Sequence, residues 1–312
     1  MEGVKRELDQ VGQDTFDIMH TELGTNVRYF AVFDGHGAKG KEAAEFARDE
    51  INKALLKDVE IIQKLSERKE VEKYFHKLYT KIQSKFKKNP LDFDSSGTCA
   101  ISVLIIGNLC YIINLGDSRA VIGALQEGAQ KVAYQMSIDH KPDRPEEKER
   151  IEKNGGYIGN ETSNTNGPYR VYSKNDEGPG LAVSRSFGDL FGHTVGVSNV
   201  PEVSYKVLEE HDMFIVIGSD GVWDVMNSAE VVGFIFEKIA KEPLWTRQRI
   251  VDELVGECRF RWEQITAYKE KVYYEKSIEE IKTQGFKKGL KKNIDDITAI
   301  VCFFTILLDE QR

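Results

Sequence analysis

Three hydrophobic runs each carry an aspartate at or beside one end. Phe30-Ala31-Val32-Phe33 leads into Asp34-Gly35-His36-Gly37, Phe214-Ile215-Val216-Ile217 leads into Gly218-Ser219-Asp220-Gly221, and Asp295-Asp296 precedes Ile297-Thr298-Ala299-Ile300-Val301. Alternating or continuous β-branched and aromatic residues predict strands. Between residues 41 and 57 the period changes, and Ala44, Ala47, Ile51 and Leu55 fall on one helical face. A second helix is predicted over 59–88, with Val71, Phe75, Leu78 and Ile82 inward. Strands over 99–106 and 109–115, joined at Gly107-Asn108, read as an antiparallel hairpin, and a third strand over 120–124 continues the meander. A charged helix over 145–154 ends at Gly155-Gly156. Residues 159–180 are rich in Asn, Ser, Thr, Gly and Pro without a period and read as a long loop. Asn227 caps the next helix and Glu230 closes its capping box, and a further helix runs from 247 through 262. The charged stretch 267–292 precedes the last strand. No repeat or Pro/Gly linker divides the chain, so it reads as a single domain over 1–312.

Carboxylates at the ends of rigid buried strands are costly unless a cation compensates them. Mg²⁺ and Mn²⁺ are the usual compensation, because both prefer carboxylate and water oxygens. The three runs therefore make the chain a candidate two-metal hydrolase. With 312 residues it can bury a full core, and its net charge of −8 argues against nucleic acid as the main partner. No apolar stretch reaches transmembrane length, no signal peptide stands at the start, and Met1-Glu2-Gly3 is not a myristoylation start. The four cysteines, Cys99, Cys110, Cys258 and Cys302, share no CxxC spacing and read as buried thiols of a reducing compartment, cytoplasmic or nuclear.

Gly35-His36-Gly37-Ala38-Lys39-Gly40 satisfies a dinucleotide-binding glycine pattern and falls one residue short of a P-loop. Both motifs cradle phosphate on backbone amides, and Asp34 beside this one would repel the anion. The hairpin downstream also suits neither parallel sheet.

Eight stretches, in order, resemble the metal-dependent protein serine/threonine phosphatases of the type 2C family. They are Gln13-Asp14, Asp34-Gly35-His36-Gly37, Ser96-Gly97-Thr98, Gly116-Asp117-Ser118-Arg119, Asp139-His140-Lys141-Pro142, the run from Leu181-Ala182-Val183 to Phe187-Gly188-Asp189, Asp220-Gly221-Val222-Trp223-Asp224, and Asp295-Asp296-Ile297-Thr298. The resemblance implies an α+β, four-layer αββα sandwich: two antiparallel sheets face to face, flanked by helices, with metals at one edge. It implies hydrolysis of phosphoserine and phosphothreonine in proteins by a metal-bridging hydroxide, without a covalent intermediate. Two Mn²⁺ or Mg²⁺ ions are expected, with a weaker third, and the protein is expected to be a monomer acting on phosphoproteins.

By the same resemblance, Asp34 bridges the two ions and the Gly35 carbonyl binds one of them. Asp220 and Asp295 complete the first site, Asp14 either holds a metal-bound water or anchors the N-terminal segment, and Asp139 and Asp224 join Asp220 at the third. His36 is the expected general acid, since an ordinary imidazole pKa of ~6.5 suits proton transfer near neutrality. Asp117 with Arg119 reads as a turn with a structural ion pair, Asp189 reads as structural, and Asp296 as a neighbour of the ligands. Residues 159–180 correspond to the flap beside the active site. Residues 268–292 form a charged insert, either a docking or regulatory segment or a solvated helix pair.

The chain departs from the family where Gln13 replaces a common Glu, and where Asp9 stands in place of a phosphate-clamping Arg. It also begins too abruptly to supply the first edge strand in full. These departures keep a second reading open, a pseudophosphatase that binds phosphoproteins as a scaffold. Arg6, with Lys5 beside it, is the candidate to replace the clamp. Arg6→Ala is expected to raise KM for a phosphopeptide while leaving kcat alone, and unchanged steady-state kinetics would remove the assignment.

Overall fold

The computed structural model describes residues 3–7, 12–19, 22–160, 167–174, 180–241, 246–284 and 295–304, with side chains left out for 3–7 and 269–284. In chain order these give β1 (Gly3–Glu7), β2 (Thr15–Met19), β3 (Val27–His36), α1 (Gly40–Lys57), α2 (Val59–Ile62) and α3 (Arg68–Phe86). Next come β4 (Gly97–Ile106), β5 (Leu109–Leu115), β6 (Arg119–Gln126), β7 (Gln130–Gln135), α4 (Pro145–Lys153), β8 (Gly156–Asn160) and β9 (Tyr169–Ser173). The remainder is β10 (Phe187–Gly188), α5 (Leu190–Thr194), β11 (Glu202–Val207), β12 (Asp212–Gly218), α6 (Asp220–Trp223), α7 (Ser228–Lys241), α8 (Arg247–Gln284) and β13 (Ile297–Phe303).

Two antiparallel sheets, ordered β1-β13-β12-β6-β7 and β11-β5-β4-β3-β2 with β10 beside β4, form the centre. Their strands are apolar on both faces because both faces are covered. On β12, Ile215 and Ile217 point between the sheets, where they meet Phe30, Val32, Ile101 and Ile122. The alternate residues Phe214 and Val216 pack outward against Val231, Ile235, Leu254 and Val255 of α7 and α8. On the other side, Tyr29, Ala31 and Phe33 of β3 face Ala44, Ala47, Ile51, Phe75 and Ile82 of α1 and α3. This period-two partition between two cores builds the expected four-layer αββα sandwich.

Several elements differ from expectation. The predicted helix over 59–88 is broken, because Glu67 and Glu70 form a capping box that starts α3 afresh. The strand after the 99–115 hairpin does not continue the meander. The free side of β5 is taken by β11, and β6 crosses to the facing sheet between β12 and β7. The expected loop over 159–180 is partly strand: Gly156–Asn160, which runs into it, pairs with Tyr169–Ser173 as a small antiparallel ribbon, while 161–166 and 175–179 lie outside the described residues. The charged stretch from 268 continues α8 as one helix to Gln284 in place of a helix pair, and 285–292 lie outside the described residues. At the start of the chain, Gly3–Glu7 does supply an edge strand, paired in register with β13. The cap at Asn227 forms as read: its side chain accepts from Glu230 N (3.0 Å), and Glu230 accepts from Asn227 N (2.8 Å).

One buried ion cluster ties α4 and the flap side to the sandwich. Glu147, wholly buried, accepts from Arg150 (2.6 Å), Arg185 (2.6 Å) and the Ser184 hydroxyl (2.6 Å). Burial works to raise its pKa, but the hydrogen bonds from Arg150, Arg185 and Ser184 outweigh burial and hold it far below the carboxylate range. A depressed carboxylate contributes stability that is complete above its unfolded value, roughly 4.3, and is lost as pH falls toward the folded value. Glu147→Gln is expected to cost about 3–5 kcal/mol near pH 7, because it removes the counter-charge of Arg150 and leaves Arg185 with Glu202 alone. Denaturant titrations should also show a weaker fall of stability below roughly pH 4.3 in the variant, and parallel curves would show that Glu147 is not the linked group.

Candidate active site

Antiparallel pairing decides which strand ends meet. The C-terminal end of β3 lies beside the N-terminal end of β4, with His36 opposite Gly97. Gly218 at the end of β12 pairs with Arg119 at the start of β6 and with Ala299 of β13. Asp34, Asp117, Asp220 and Asp295 are thereby delivered to one edge of the sandwich from four strand ends. A cavity of about 320 Å³ opens there, with Asp34, His36, Asp117 and Asp220 in its lining.

Carboxylate oxygens of Asp34, Asp117 and Asp220 all lie within 4.8 Å of one another. Burial, then the charge of Asp220, Asp14 and Asp117, pushes the Asp34 carboxyl well above its ordinary value. Asp220 is raised in the same way by burial and by Asp117 and Asp295. Burial works on Asp117 too, but its ion pair with Lys141 prevails and lowers its pKa. The Cys99 thiol donates to Asp117 Oδ1 (3.2 Å), and burial followed by the charges of Asp117 and Asp34 keeps it protonated. Such a donor set, all hard oxygen and short of positive charge, fits Mg²⁺ or Mn²⁺.

The surrounding residues fix this crowded loop. Ser219 N donates to the Thr298 carbonyl (3.0 Å), and the indoles of Trp223 and Trp262 donate to the carbonyls of Gly218 (2.9 Å) and Gly221 (2.8 Å). A Cβ on Gly221 would come within 2.0 Å of the Asp296 carbonyl, so only glycine lets Asp220 follow β12 so closely past β13.

The other expected residues divide. Asp14 is buried, and its Oδ2 lacks a hydrogen-bond partner. Burial, together with Asp296 and Asp295 and against the hydroxyls of Thr298 and Ser219, pushes its pKa up to about 7. Asp295 stands exposed at the rim, pushed up to about 6 by the adjoining protein wall and by Asp296, Asp224 and Asp117. Asp224 follows Asp220 by one helical turn, its N–H donating to the Asp220 carbonyl (2.8 Å). Asp139 accepts from Arg119 Nε (3.0 Å) and Nη2 (2.7 Å), and the carboxylate that joins Asp34 and Asp220 in the cluster is Asp117, read from sequence as part of a structural ion pair. The Gly-Asp-Ser-Arg turn thus splits its charges, Arg119 to Asp139 and Asp117 to Lys141. Arg6 lies on β1 opposite Thr298, and its side chain is outside the described residues, as is Asp9.

His36 Nε2 lies 2.7 Å from Asp189 Oδ2, so Asp189, read from sequence as structural, orients the imidazole. Burial pulls the His36 pKa down, but the charge and hydrogen bond of Asp189, with Asp117 behind, leave it above the ordinary value. The Ser186 hydroxyl donates to the same Oδ2 (2.5 Å). A Cβ on Gly97 would lie 2.2 Å from that oxygen, so the Ser96-Gly97-Thr98 stretch is the cradle of Asp189. Gln13 donates from Nε2 to the Gly37 carbonyl (2.7 Å), a bond that a glutamate could not make, and its N–H reaches Asp296 (2.5 Å).

A family model described as protein phosphatase 2C matches residues 1–261. Among curated proteins, probable protein phosphatase 2C 35 of Arabidopsis thaliana is 32% identical over 246 residues, covering 73% of this chain and 68% of its own. Probable protein phosphatase 2C 1 of the same plant is 30% identical over 279 residues, covering 81% of this chain and 60% of its own. The chain thus spans about two thirds or less of the length of these two relatives. Among solved structures, a serine-threonine phosphatase 2C from Toxoplasma gondii superposes with a TM-score of 0.69 at 20% identity, covering 97% of this chain and 94% of that one.

Crowded carboxylates make a specific expectation. With EDTA present, Asp220→Asn should raise the thermal midpoint, because one repelling charge is gone. Mn²⁺ should stabilise the unsubstituted protein and have little effect on this variant. Equal responses of the two proteins to Mn²⁺ in a melting titration would exclude Asp220 as a ligand.

Proposed function

The chain belongs to the protein phosphatase 2C family, a metal-dependent one, and on that premise we propose that it hydrolyses phosphoserine and phosphothreonine in proteins, using Mn²⁺ or Mg²⁺. The observation that carries this reading is the meeting of Asp34, Asp117 and Asp220 at the cavity wall. These carboxylates would hold the ions, and Asp14, Asp224 and Asp295, whose charges reach Asp34 or Asp220, would act on water or on further metal. When bound, divalent ions supply positive charge for a dianionic phosphate and acidify water for attack on phosphorus.

The remaining steps belong to the chain itself. His36 directs Nε2 at Asp189, which fixes the ring and leaves Nδ1 as the nitrogen to protonate the departing serine or threonine oxygen. The raised pKa of His36 favours the protonated form that an acid must start from. Cys99, though it lines the cavity, is held as a thiol against Asp117 and is unsuited to attack. Water is therefore the nucleophile in this reading, and no phosphoenzyme forms. Pairing of β1 with β13, which joins the two ends of the sequence in one sheet, supports a single catalytic domain. We place its action on phosphoprotein substrates, as a monomer, in the cytoplasm or nucleus, where four buried free thiols stay reduced.

Turnover of a phosphothreonine peptide is expected with Mn²⁺, to vanish with EDTA, and to fall by at least about 10²-fold in Asp220→Ala. Metal-loaded, folded protein that leaves the peptide intact would support the pseudophosphatase reading instead.

A further inference from the structure

The cavity that holds the carboxylates has a second wall of different character. Leu181, Val195 and Phe191 line it on the side of the β8–β9 ribbon and α5. Val195 belongs to a small apolar cluster with Ile151, Val171 and Val197, and Leu181 packs against that cluster, so this part of the wall is backed by its own core. Phe191 is different: it lines the same cavity yet is 53% exposed. Its neighbour Leu190 turns the other way and packs on the helix–sheet core behind.

Phe191 is also held in place by its backbone. Its N–H donates to the Asp94 carbonyl (3.1 Å), and that of Leu190 donates to the Phe93 carbonyl (3.1 Å). The Thr194 hydroxyl donates to the Phe191 carbonyl (2.7 Å). Two residues earlier stands Asp189, the partner of His36. The exposed ring is therefore set at a fixed offset from the group that protonates the leaving oxygen. An exposed aromatic on a rigid backbone, at the mouth of a reactive cavity and continuous with an apolar wall, is suited to receive carbon.

We propose that Phe191, with Leu181 and Val195 behind it, forms a substrate subsite for an apolar side chain adjacent to the phosphorylated residue. The occupant is the substrate polypeptide itself, because the wall is continuous with the cavity in which its phosphoresidue would sit. A cavity of about 320 Å³ suits one phosphorylated side chain and one neighbour. Phe191 here is a specificity-determining residue, and the subsite rests on the reading of the cavity as the phosphate site.

The test uses phosphothreonine peptides that differ only in leucine or alanine beside the phosphothreonine, on either side. Their non-hydrolysable phosphonate counterparts serve for binding by fluorescence anisotropy, with Mn²⁺ present. The unsubstituted protein should bind and turn over one of the leucine peptides about tenfold better than its alanine twin. In Phe191→Ala that ratio should fall below about twofold, and Phe191→Leu should restore most of it. Equal binding of both peptides by the unsubstituted protein, or an undiminished preference in Phe191→Ala, overturns the subsite. A protein that prefers the leucine phosphonate, loses that preference in Phe191→Ala and hydrolyses no peptide would end the phosphatase reading and keep the subsite.

Discussion

The constraint on which the site depends is electrostatic: Asp34, Asp117 and Asp220 are held with oxygens within 4.8 Å of one another, where like charges repel. Nothing in the carboxylates themselves favours that arrangement. It persists because each is delivered by a strand end whose register is set by hydrogen bonds along the whole sheet. Lys141 relieves Asp117, and Ser219, Trp223 and Trp262 pin the turn that carries Asp220. Stability surrendered at the edge is recovered in the apolar layers behind it.

Those layers explain why the edge is rigid. Ile215 and Ile217 fill the space between the sheets while Phe214 and Val216 meet the helices, so a one-residue slip of β12 would exchange both sets. Such a slip would also move Asp220 away from Asp34. Register is thus enforced by burial on two faces, and the position of the carboxylate follows from it.

A second set of contacts governs His36 and the far wall of the cavity. Asp189 joins the two: its carboxylate fixes His36, and the turn it begins presents Phe191 to the cavity. Gln13, a departure from the commoner glutamate, uses its amide to tether the loop after His36 through the Gly37 carbonyl. The neutral side chain has a mechanical role that a charged one would not fill.

Much of this is legible in the chain itself. Hydrophobic runs ending in Asp34 and Asp220 mark two of the three clustered carboxylates, and the apolar period marks the buried faces of α1 and α3. Those signals are local: a period of two or 3.6 and an aspartate beside it survive in any context. Asp117 gives no such signal, since it sits in a polar turn with Arg119 two residues on and reads as half of an ion pair. Only the crossing of β6 into the facing sheet sets Arg119 against Asp139 and leaves Asp117 beside Asp34. The same holds for Asp189 and His36, which lie 153 positions apart in sequence. Sequence determined which segments are strands and which residue types stand at their ends. The packing of one sheet on the other decided which of those ends meet, because contact across a sandwich depends on register and layer order, and neither is written in a single strand.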